Sequence, residues 1–194
     1  MNGRQRVLNL LTGSAPDRPV RGEIWPLASG GSAAEILSAA QGIGADFCFF
    51  DQLPGAMAEA RTAELATGAI VNGPWQRCLE RIGWETAMTG LARGDEAVRE
   101  GLRAAAAEAG SEILAWTSAG VDLILLADDI AYSKGPLMSP AQIEAELLPL
   151  YAELVKLAEG AGSIAGFHTD GQVDLVLPLL HTAGFKFYSL EPEG

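Results

Sequence analysis

Two hydrophobic patterns alternate along the chain. Amphipathic stretches, with apolar residues every three or four positions, end at glycine, and each is followed by a short run that is apolar at nearly every position. Runs of this kind that are apolar on both faces are typical of a parallel sheet covered by helices. Six of them have the length of a strand, at residues 22–27, 42–51, 69–75, 120–129, 162–170 and 184–191.

Capping signals support the helices between these runs. Ser32 with Glu35 and Ser139 with Gln142 have the spacing of capping boxes, and each pair predicts the start of a helix. Asp95 can cap the long apolar-periodic stretch that follows it. The helix that begins after Ser139 contains Pro149 and is expected to kink there, because proline removes a backbone donor.

Strands that alternate with helices through short connections predict parallel pairing by right-handed crossovers. Such units build either a closed barrel or an open sheet with helices on both faces. The stretch 30–32 (GGS) has neither the GxGxxG nor the GK[ST] pattern of nucleotide-binding sheets. We therefore predict an α/β fold of the (β/α) TIM-barrel type, with about six parallel strands and the helices outside.

The predicted barrel is incomplete, because a full one has eight strands and takes about 250 residues. The first and sixth strands would then have unpaired edges beside an open apolar interior. We expect a second copy of the chain or a companion subunit to cover that side. The 194 residues, of which 48% are hydrophobic, suffice for one core, so residues 1–194 are expected to form a single domain.

Charge and cysteine content limit the partners and the compartment. The formal net charge of −12 disfavours nucleic acid and anionic membrane surfaces. Cys48 and Cys78 fit neither a disulfide framework nor a zinc-binding spacing, which favours a reducing compartment. No signal peptide or spanning hydrophobic run is visible, so a cytoplasmic location is expected.

Chemistry is expected at the carboxyl ends of the strands, where parallel α/β folds place their active sites. Several carboxylates at one rim would repel one another, which favours a bound metal ion, a shared proton or a cationic group. The predicted catalytic residues are His168, Asp170, Asp129 and Asp51. The predicted substrate-binding residues are Trp25, Asn72, Asp128, Tyr132 and Glu191.

The tripeptide 168–170 (HTD) is the sharpest local feature, since alternate residues of a strand end direct two side chains to the same side. Two ligands are too few for a zinc site. The predicted metal site therefore adds Glu191 to His168 and Asp170, with Asp129 as the other possible third ligand. An alternative role for Asp170 is to cap the following helix. His181 lies within a helix and is expected to be structural or exposed.

Three segments resemble one known superfamily. Residues 127–155 (ADDIAYSKGPLMSPAQIEAELLPLYAELV) resemble the region after the fourth barrel strand in the uroporphyrinogen decarboxylase superfamily, in the branch that includes corrinoid-dependent methyltransferases. Residues 167–171 (FHTDG) and 184–192 (GFKFYSLEP) look like the fifth and sixth strands of that branch, and 4–20 (RQRVLNLLTGSAPDRPV) resembles its N-terminal helix and proline turn. The resemblance spans nearly the whole chain.

This resemblance implies a methyltransferase-like enzyme that acts with a corrinoid or a methylated small molecule. It also implies zinc, and a corrinoid (cobalamin) carried by a partner protein, as cofactors. Methylcobalamin:coenzyme M methyltransferases of the branch hold zinc through a His-x-Cys pair and a later cysteine. Here His168 matches the histidine and Asp170 replaces the first cysteine.

Two other functions remain open. Asp51 in FFDQL resembles the decarboxylase aspartate that faces the pyrrole nitrogens, which implies decarboxylation of a tetrapyrrole. However, residues 22–31 (GEIWPLASGG) replace the arginine-rich segment of the decarboxylases, and a substrate with eight carboxylates needs cations at the mouth. The third possibility is a non-catalytic relic of the barrel that binds a ligand or a partner.

Overall fold

The structure, a computed structural model, describes residues 1–24, 32–51 and 64–191, and in these ranges the chain forms a mixed α/β half-barrel. The strands are β1 (Gly22–Glu23), β2 (Phe47–Phe50), β3 (Ala66–Asn72), β4 (Leu123–Ala127), β5 (Ala131–Tyr132), β6 (Gly135–Pro136), β7 (Ile164–Asp170) and β8 (Phe187–Glu191). The helices are α1 (Gly3–Leu11), α2 (Ala33–Gly42), α3 (Pro74–Ile82), α4 (Trp84–Arg93), α5 (Glu96–Ala119), α6 (Pro140–Gln142), a π-helical turn (Ile143–Leu147), α7 (Leu148–Gly160) and α8 (Leu177–Ala183).

Six strands pair in parallel in the order β1-β2-β3-β4-β7-β8, which follows the order of the chain. Helices other than α1 pack on the outer face of this sheet, where they form the larger of two apolar cores, whereas Val7 of α1 belongs to the smaller core on the inner face. The predicted incomplete TIM-barrel-like fold is therefore confirmed. Within the described residues, β1 and β8 are the two edges of the sheet. The antiparallel hairpin of β5 and β6 was not predicted.

Four of the observed strands start two to five residues later than the predicted runs, β1 starts at the predicted Gly22, and one strand is displaced. Gly120 and Gly184 end their helices with positive φ values of 96° and 107°, so two residues after each glycine are still used to turn into the strand. The run predicted at 69–75 is instead a strand over Ala66–Asn72. It ends there because Pro74 occupies the first position of α3, where its missing N–H costs nothing.

The predicted helix caps are present. Both capping boxes form, with Ser32 and Ser139 each bonded to the backbone of the residue three positions on. Asp95 accepts a hydrogen bond from the Ala97 amide at 2.9 Å. The distortion expected at Pro149 takes the form of the π-helical turn that ends two residues before it.

Arginines of the N-terminal segment neutralise the carboxylates at the amino ends of the strands. Asp122, just before β4, accepts hydrogen bonds from Arg4 Nε at 2.9 Å and Nη2 at 2.8 Å. Asp46, just before β2, binds Arg6 and Arg18 and is 1% exposed. Burial by itself would raise the pKa of Asp46, but these hydrogen bonds and one from the Arg21 amide outweigh it and lower the pKa. These acids hold α1 across the end of the half-barrel opposite the predicted site.

Phenylalanine rings fill the inner face of the sheet and lie on glycines of the neighbouring strands. The register pairs Phe47 with Gly22 and Phe187 with Gly166. The Phe49 ring covers Gly68 so closely that an added Cβ on the glycine would lie 2.3 Å from Phe49 Cε1. The rings thus occupy the space that side chains at the glycine positions would otherwise take. With their neighbours they form the smaller of the two apolar cores, on the concave side of the sheet.

Candidate functional site

Polar side chains line up at the carboxyl end of four neighbouring strands. The register places Asn72 of β3 beside Ala127 of β4, Ala127 beside His168 of β7, and His168 beside Ser189 of β8. These four paired residues form one row across the sheet, and their side chains point to its inner face. Because side chains alternate along a strand, the residues two positions before and after each of them point to the same face. Asp129, Asp170 and Glu191 follow at the next level of the same face.

Three of these side chains form a group that could hold a metal ion. Ligand atoms of Asp129, His168 and Asp170 all lie within 4.8 Å of one another. His168 Nε2 is 3.6 Å from Asp170 Oδ1, and the Asp170 amide donates a hydrogen bond to Asp129 Oδ1 at 3.2 Å. The structure therefore brings Asp129 within reach of the histidine and aspartate pair, and the role of Glu191 as a ligand stays a prediction.

His168 is held in one orientation by the strand beside it. The residue is 5% exposed, and its Nδ1 lies 3.0 Å from Ser189 Oγ on β8. A hydrogen bond at Nδ1 fixes the ring and directs Nε2 towards the two aspartates. The sequence analysis did not single out Ser189, because only the pairing of β7 with β8 shows that it neighbours His168. Its position two residues before Glu191 could have indicated that both side chains point to the same face of the sheet.

A cavity of about 200 Å³ opens beside this group. Its described lining combines an apolar floor with four polar side chains, and consists of Ile70, Asn72, Gln76, Ala127, Asp129 and His168. The structure thus places three predicted site residues around one space. Gln76, in the first turn of α3, is a functional candidate that the sequence did not single out.

Asp128 faces the helices rather than the cavity. The residue is 1% exposed, and its carboxylate accepts hydrogen bonds from the Trp75 amide at 3.0 Å, the Gln76 amide at 2.6 Å and the Tyr151 hydroxyl at 2.8 Å. It serves as the cap of α3, whose own N-cap, Gly73, makes no side-chain hydrogen bond. These contacts favour a structural role for Asp128 over the predicted contact with substrate.

The environment of Asp128 has opposing effects on its pKa. Burial raises the pKa strongly, the hydrogen bonds from Gln76, Tyr151 and Trp75 lower it, and the charge of Asp129 raises it; the result is a pKa of about 7. Gly73 makes room for the carboxyl group, since an added Cβ there would lie 2.3 Å from Asp128 Cγ. The first turn of α3, including Gln76, is thereby fixed at the rim of the cavity.

The β5–β6 hairpin sets the position of Asp129. Ile130 donates its amide hydrogen to Thr169 Oγ1 at 3.1 Å, and the Gln172 amide donates to the Tyr132 carbonyl at 2.9 Å. An added Cβ on Gly171 would lie 2.4 Å from the Tyr132 amide nitrogen, so only glycine permits this close approach. The hairpin therefore packs against the end of β7 and keeps Asp129 beside Asp170.

The other predicted site residues lie at the same end of the sheet or outside the described ranges. Asp51 follows β2 directly and is exposed, and Glu191 is the last residue of β8 and the register partner of Asp170. Tyr132 is 44% exposed on the hairpin. Trp25 falls outside the described residues. Catalytic or substrate-binding roles for these residues stay predictions.

The structure bears on the alternative roles predicted for Asp170 and His181. Asp170 does not cap the following helix, because α8 has Val176 at its N-cap and no side-chain capping bond. The strand simply continues through Asp170, and five residues separate it from that N-cap. His181 lies on α8 and is exposed, as predicted.

Comparison with known proteins extends the description of the fold. The chain is similar in structure to a methyltransferase from Methanosarcina mazei, with a TM-score of 0.75 over 97% of this chain and 76% of that chain, and with 16% sequence identity. No protein-family model matches the chain, and no curated protein matches its sequence. At this level of identity the likeness shows a shared fold. No helix in the described ranges has the length and apolar character needed to cross a membrane.

Proposed function

We propose that this protein is a methyltransferase-like enzyme that binds a divalent metal ion through Asp129, His168 and Asp170. The observation that carries the proposal is the convergence of these three side chains beside one cavity at the carboxyl end of the half-barrel. The structural likeness to the Methanosarcina mazei methyltransferase supports the choice of reaction, as does the resemblance to the corrinoid-dependent branch of the uroporphyrinogen decarboxylase superfamily.

The donor set suits a transition metal such as zinc. One imidazole nitrogen and carboxylate oxygens are ordinary zinc ligands, with bonds of about 2.0–2.2 Å, so two ligands of one ion can lie up to about 4 Å apart. The observed separations, all within 4.8 Å, need only small side-chain rotations to reach bonding distance. Ser189 supplies the outer contact that metal-binding histidines usually make through their second nitrogen.

Nitrogen and oxygen ligands replace the sulfur ligands that the resemblance would imply. Cys48 lies in β2 and Cys78 in α3, and both are buried away from the group of three. Burial raises the pKa of Cys48 to about 12, so its thiol stays protonated. The proposed site therefore depends on His168 as its one nitrogen ligand.

The residues around the cavity have separable tasks in this proposal. A bound divalent metal would act as a Lewis acid that lowers the pKa of a coordinated thiol or hydroxyl group. The carboxylates of Asp129 and Asp170 are the proposed acceptors of the proton that a methyl acceptor releases, because they lie beside the metal site. Ile70 and Ala127 form an apolar floor against which a methyl group can pack. A corrinoid carried by a partner protein is the proposed source of the methyl group.

The proposal predicts that zinc binding and methyl transfer are lost together. Protein dialysed against EDTA is expected to bind one equivalent of Zn²⁺ in a calorimetric titration, and His168→Ala is expected to weaken this binding roughly hundredfold or more, since even outer-shell changes cost 10–100-fold. Demethylation of methylcobalamin in the presence of 2-mercaptoethanesulfonate, followed by absorbance, should stop in the same variant.

His181→Ala is the matched control for this test, because it removes the chain's other histidine from an exposed helix. It should bind zinc and demethylate methylcobalamin like the unmodified protein. If the unmodified protein neither binds Zn²⁺ nor demethylates methylcobalamin, the proposal is wrong and a ligand- or partner-binding relic becomes the better description.

We also propose that a second copy of the chain covers the open side of the half-barrel. Phe47, Phe187, Ile24 and Ile164 pack on the inner core but remain partly accessible, beside the two edge strands. Exposed apolar surface next to unpaired strand edges favours association. Sedimentation velocity at micromolar concentration is expected to show a dimer; a stable monomer at every concentration would contradict this.

A further inference from the structure

The hydrogen bonds between β4 and β7 change character where the strands reach the proposed metal site. The register pairs Ala127 with His168, and the Asp128 amide donates to the His168 carbonyl at 3.0 Å. In a parallel pair of strands such bonds repeat every two residues. The regular continuation would therefore be a bond from the Ile130 amide to the Asp170 carbonyl.

The hydroxyl group of Thr169 stands between these two backbone groups instead. The Ile130 amide donates to Thr169 Oγ1 at 3.1 Å, and the same hydroxyl donates to the Asp170 carbonyl, also at 3.1 Å. Thr169 is 0% exposed, so both hydrogen bonds are shielded from water. The hydroxyl thus uses its donor and an acceptor position to join the chain after β4 to the end of β7.

This junction lies directly behind the three proposed metal ligands. Ile130 follows Asp129 in the chain, and Thr169 lies between His168 and Asp170. Because side chains alternate along β7, the Thr169 side chain points to the face opposite the two ligands that flank it. The Asp129 carboxylate also accepts the Asp170 amide hydrogen at 3.2 Å, so both sides of the Asp129 backbone position are tied to β7.

From these contacts we infer that Thr169 is a positioning residue for the metal site, an inference that rests on the proposed function. Its hydroxyl fixes the backbone at Asp129 relative to β7, so that the two carboxylates and the imidazole can reach one ion. Without the hydroxyl, the Ile130 amide either loses its acceptor or moves to the Asp170 carbonyl, and both changes displace Asp129. Zinc bonds of about 2.0–2.2 Å leave little tolerance for such a displacement.

Thr169→Val tests this role, because valine has nearly the same shape and lacks the hydroxyl. Calorimetric titration of EDTA-dialysed protein is expected to show that the variant binds Zn²⁺ roughly tenfold or more weakly, the usual cost of a change outside the ligand shell. Thr169→Ser restores the hydroxyl without the methyl group. It should bind Zn²⁺ nearly as tightly as the unmodified protein.

Thr67→Val is the matched control, since it makes the same change at a threonine that is also 0% exposed. Thr67 is the second residue of β3, at the end away from the site, and its hydroxyl makes no hydrogen bond within the described part of the chain. This variant should bind Zn²⁺ like the unmodified protein.

The absorption spectrum of the Co²⁺-loaded protein supplies a readout that a merely structural role would not change. Its bands report the geometry of the ligands around the metal. They should shift in Thr169→Val and stay unchanged in Thr169→Ser and Thr67→Val. A residue that contributes only stability would lower the urea midpoint and leave these bands as they are.

The inference and the proposed function fail separately. If the unmodified protein binds Zn²⁺ through His168 and Thr169→Val has the same affinity and the same Co²⁺ spectrum, the inference is wrong and the metal site stands. A serine variant as weak as the valine variant also overturns the inference, because the hydroxyl is then not the cause. No Zn²⁺ binding by the unmodified protein overturns the metal site, and the inference with it.

Thr169→Ala replaces Thr169→Val in these measurements if circular dichroism shows that the valine variant does not fold. It removes the same hydroxyl and puts no new group beside the Ile130 amide. A loss of Zn²⁺ affinity of roughly tenfold or more supports the positioning role, and unchanged affinity contradicts it.

Discussion

Asp128→Ala is expected to lower the free energy of unfolding by about 4 kcal/mol at pH 5, measured by urea denaturation. The substitution removes the acceptor for the Trp75 amide, the Gln76 amide and the Tyr151 hydroxyl, and two of these three residues are completely buried. Each buried donor left without a partner costs about 1–3 kcal/mol. The loss also frees the first turn of α3, which is otherwise uncapped.

The size of this loss should depend on pH in a defined direction. The pKa of Asp128 is raised from 3.8 to about 7 in the folded protein, so the folded state holds its proton more tightly than the unfolded chain does. Stability contributed by this group is therefore fully present below about pH 4 and declines as the pH rises to about 7. The difference between the unmodified protein and Asp128→Ala should shrink by about 2–3 kcal/mol between pH 5 and pH 8.

Asp129→Ala is the control for Asp128→Ala, since it changes the adjacent residue in the same way. Asp129 is exposed and accepts one hydrogen bond from the Asp170 amide at 3.2 Å. Its replacement should cost less than about 1 kcal/mol in stability, while weakening the proposed metal binding. Equal losses for the two variants, or a loss for Asp128→Ala that does not vary with pH, would refute the structural role assigned to Asp128.

The helices and the order of the strands were predictable because their causes are local. The capping boxes at Ser32 and Ser139 and the cap at Asp95 depend on residues three or fewer positions apart. Parallel strands joined by helices predict a barrel or an open sheet, and choosing the barrel, in which strands pair in chain order, gave the observed order. The β5–β6 hairpin escaped prediction because each of its strands has two residues, too few for a periodic pattern.

The candidate site was only partly predictable. His168 and Asp170 alternate along one strand, and this local pattern is enough to place them on one face. The same rule of alternation separates Asp128 from Asp129: Leu123, Leu125 and Ala127 face the inner side, which Asp129 continues, whereas Asp128 turns to the helices. The sequence analysis predicts both aspartates as site residues, although the period of two distinguishes them.

The choice of a third ligand could not be made from the sequence. β7 lies between β4 and β8, so Asp129 and Glu191 each follow a strand adjacent to that of His168. The packing of the hairpin on Gly171 places Asp129 beside Asp170, and this contact joins residues about forty positions apart. Gln76 could not be predicted as a site residue for a similar reason, since its position at the cavity depends on the capping of α3 by Asp128.

Gly68→Ala is expected to lower the free energy of unfolding by about 3 kcal/mol. The added Cβ would lie 2.3 Å from Phe49 Cε1 and 2.5 Å from Cδ1, where carbon atoms normally stay about 3.5–4.0 Å apart. The ring cannot simply withdraw, because Phe49 is 1% exposed and contacts Phe47 and Phe187 at centroid distances of 6.0 and 6.3 Å. Overpacking of a core typically costs about 1–3 kcal/mol.

Gly101→Ala makes the same substitution where there is room. Its added Cβ would lie 3.7 Å from Cys78 Sγ, an ordinary contact, on the long helix α5. Alanine is favoured over glycine by about 0.5–1 kcal/mol inside a helix or a strand, so Gly101→Ala should raise the free energy of unfolding. Only packing can then explain why Gly68→Ala lowers it.

In the double variant Gly68→Ala/Phe49→Leu, the loss of unfolding free energy should be smaller than the sum of the two single losses by about 1–2 kcal/mol, because the smaller side chain gives the new methyl group space. Additive losses in urea denaturation would show that the ring on Gly68 is not what makes glycine necessary in β3.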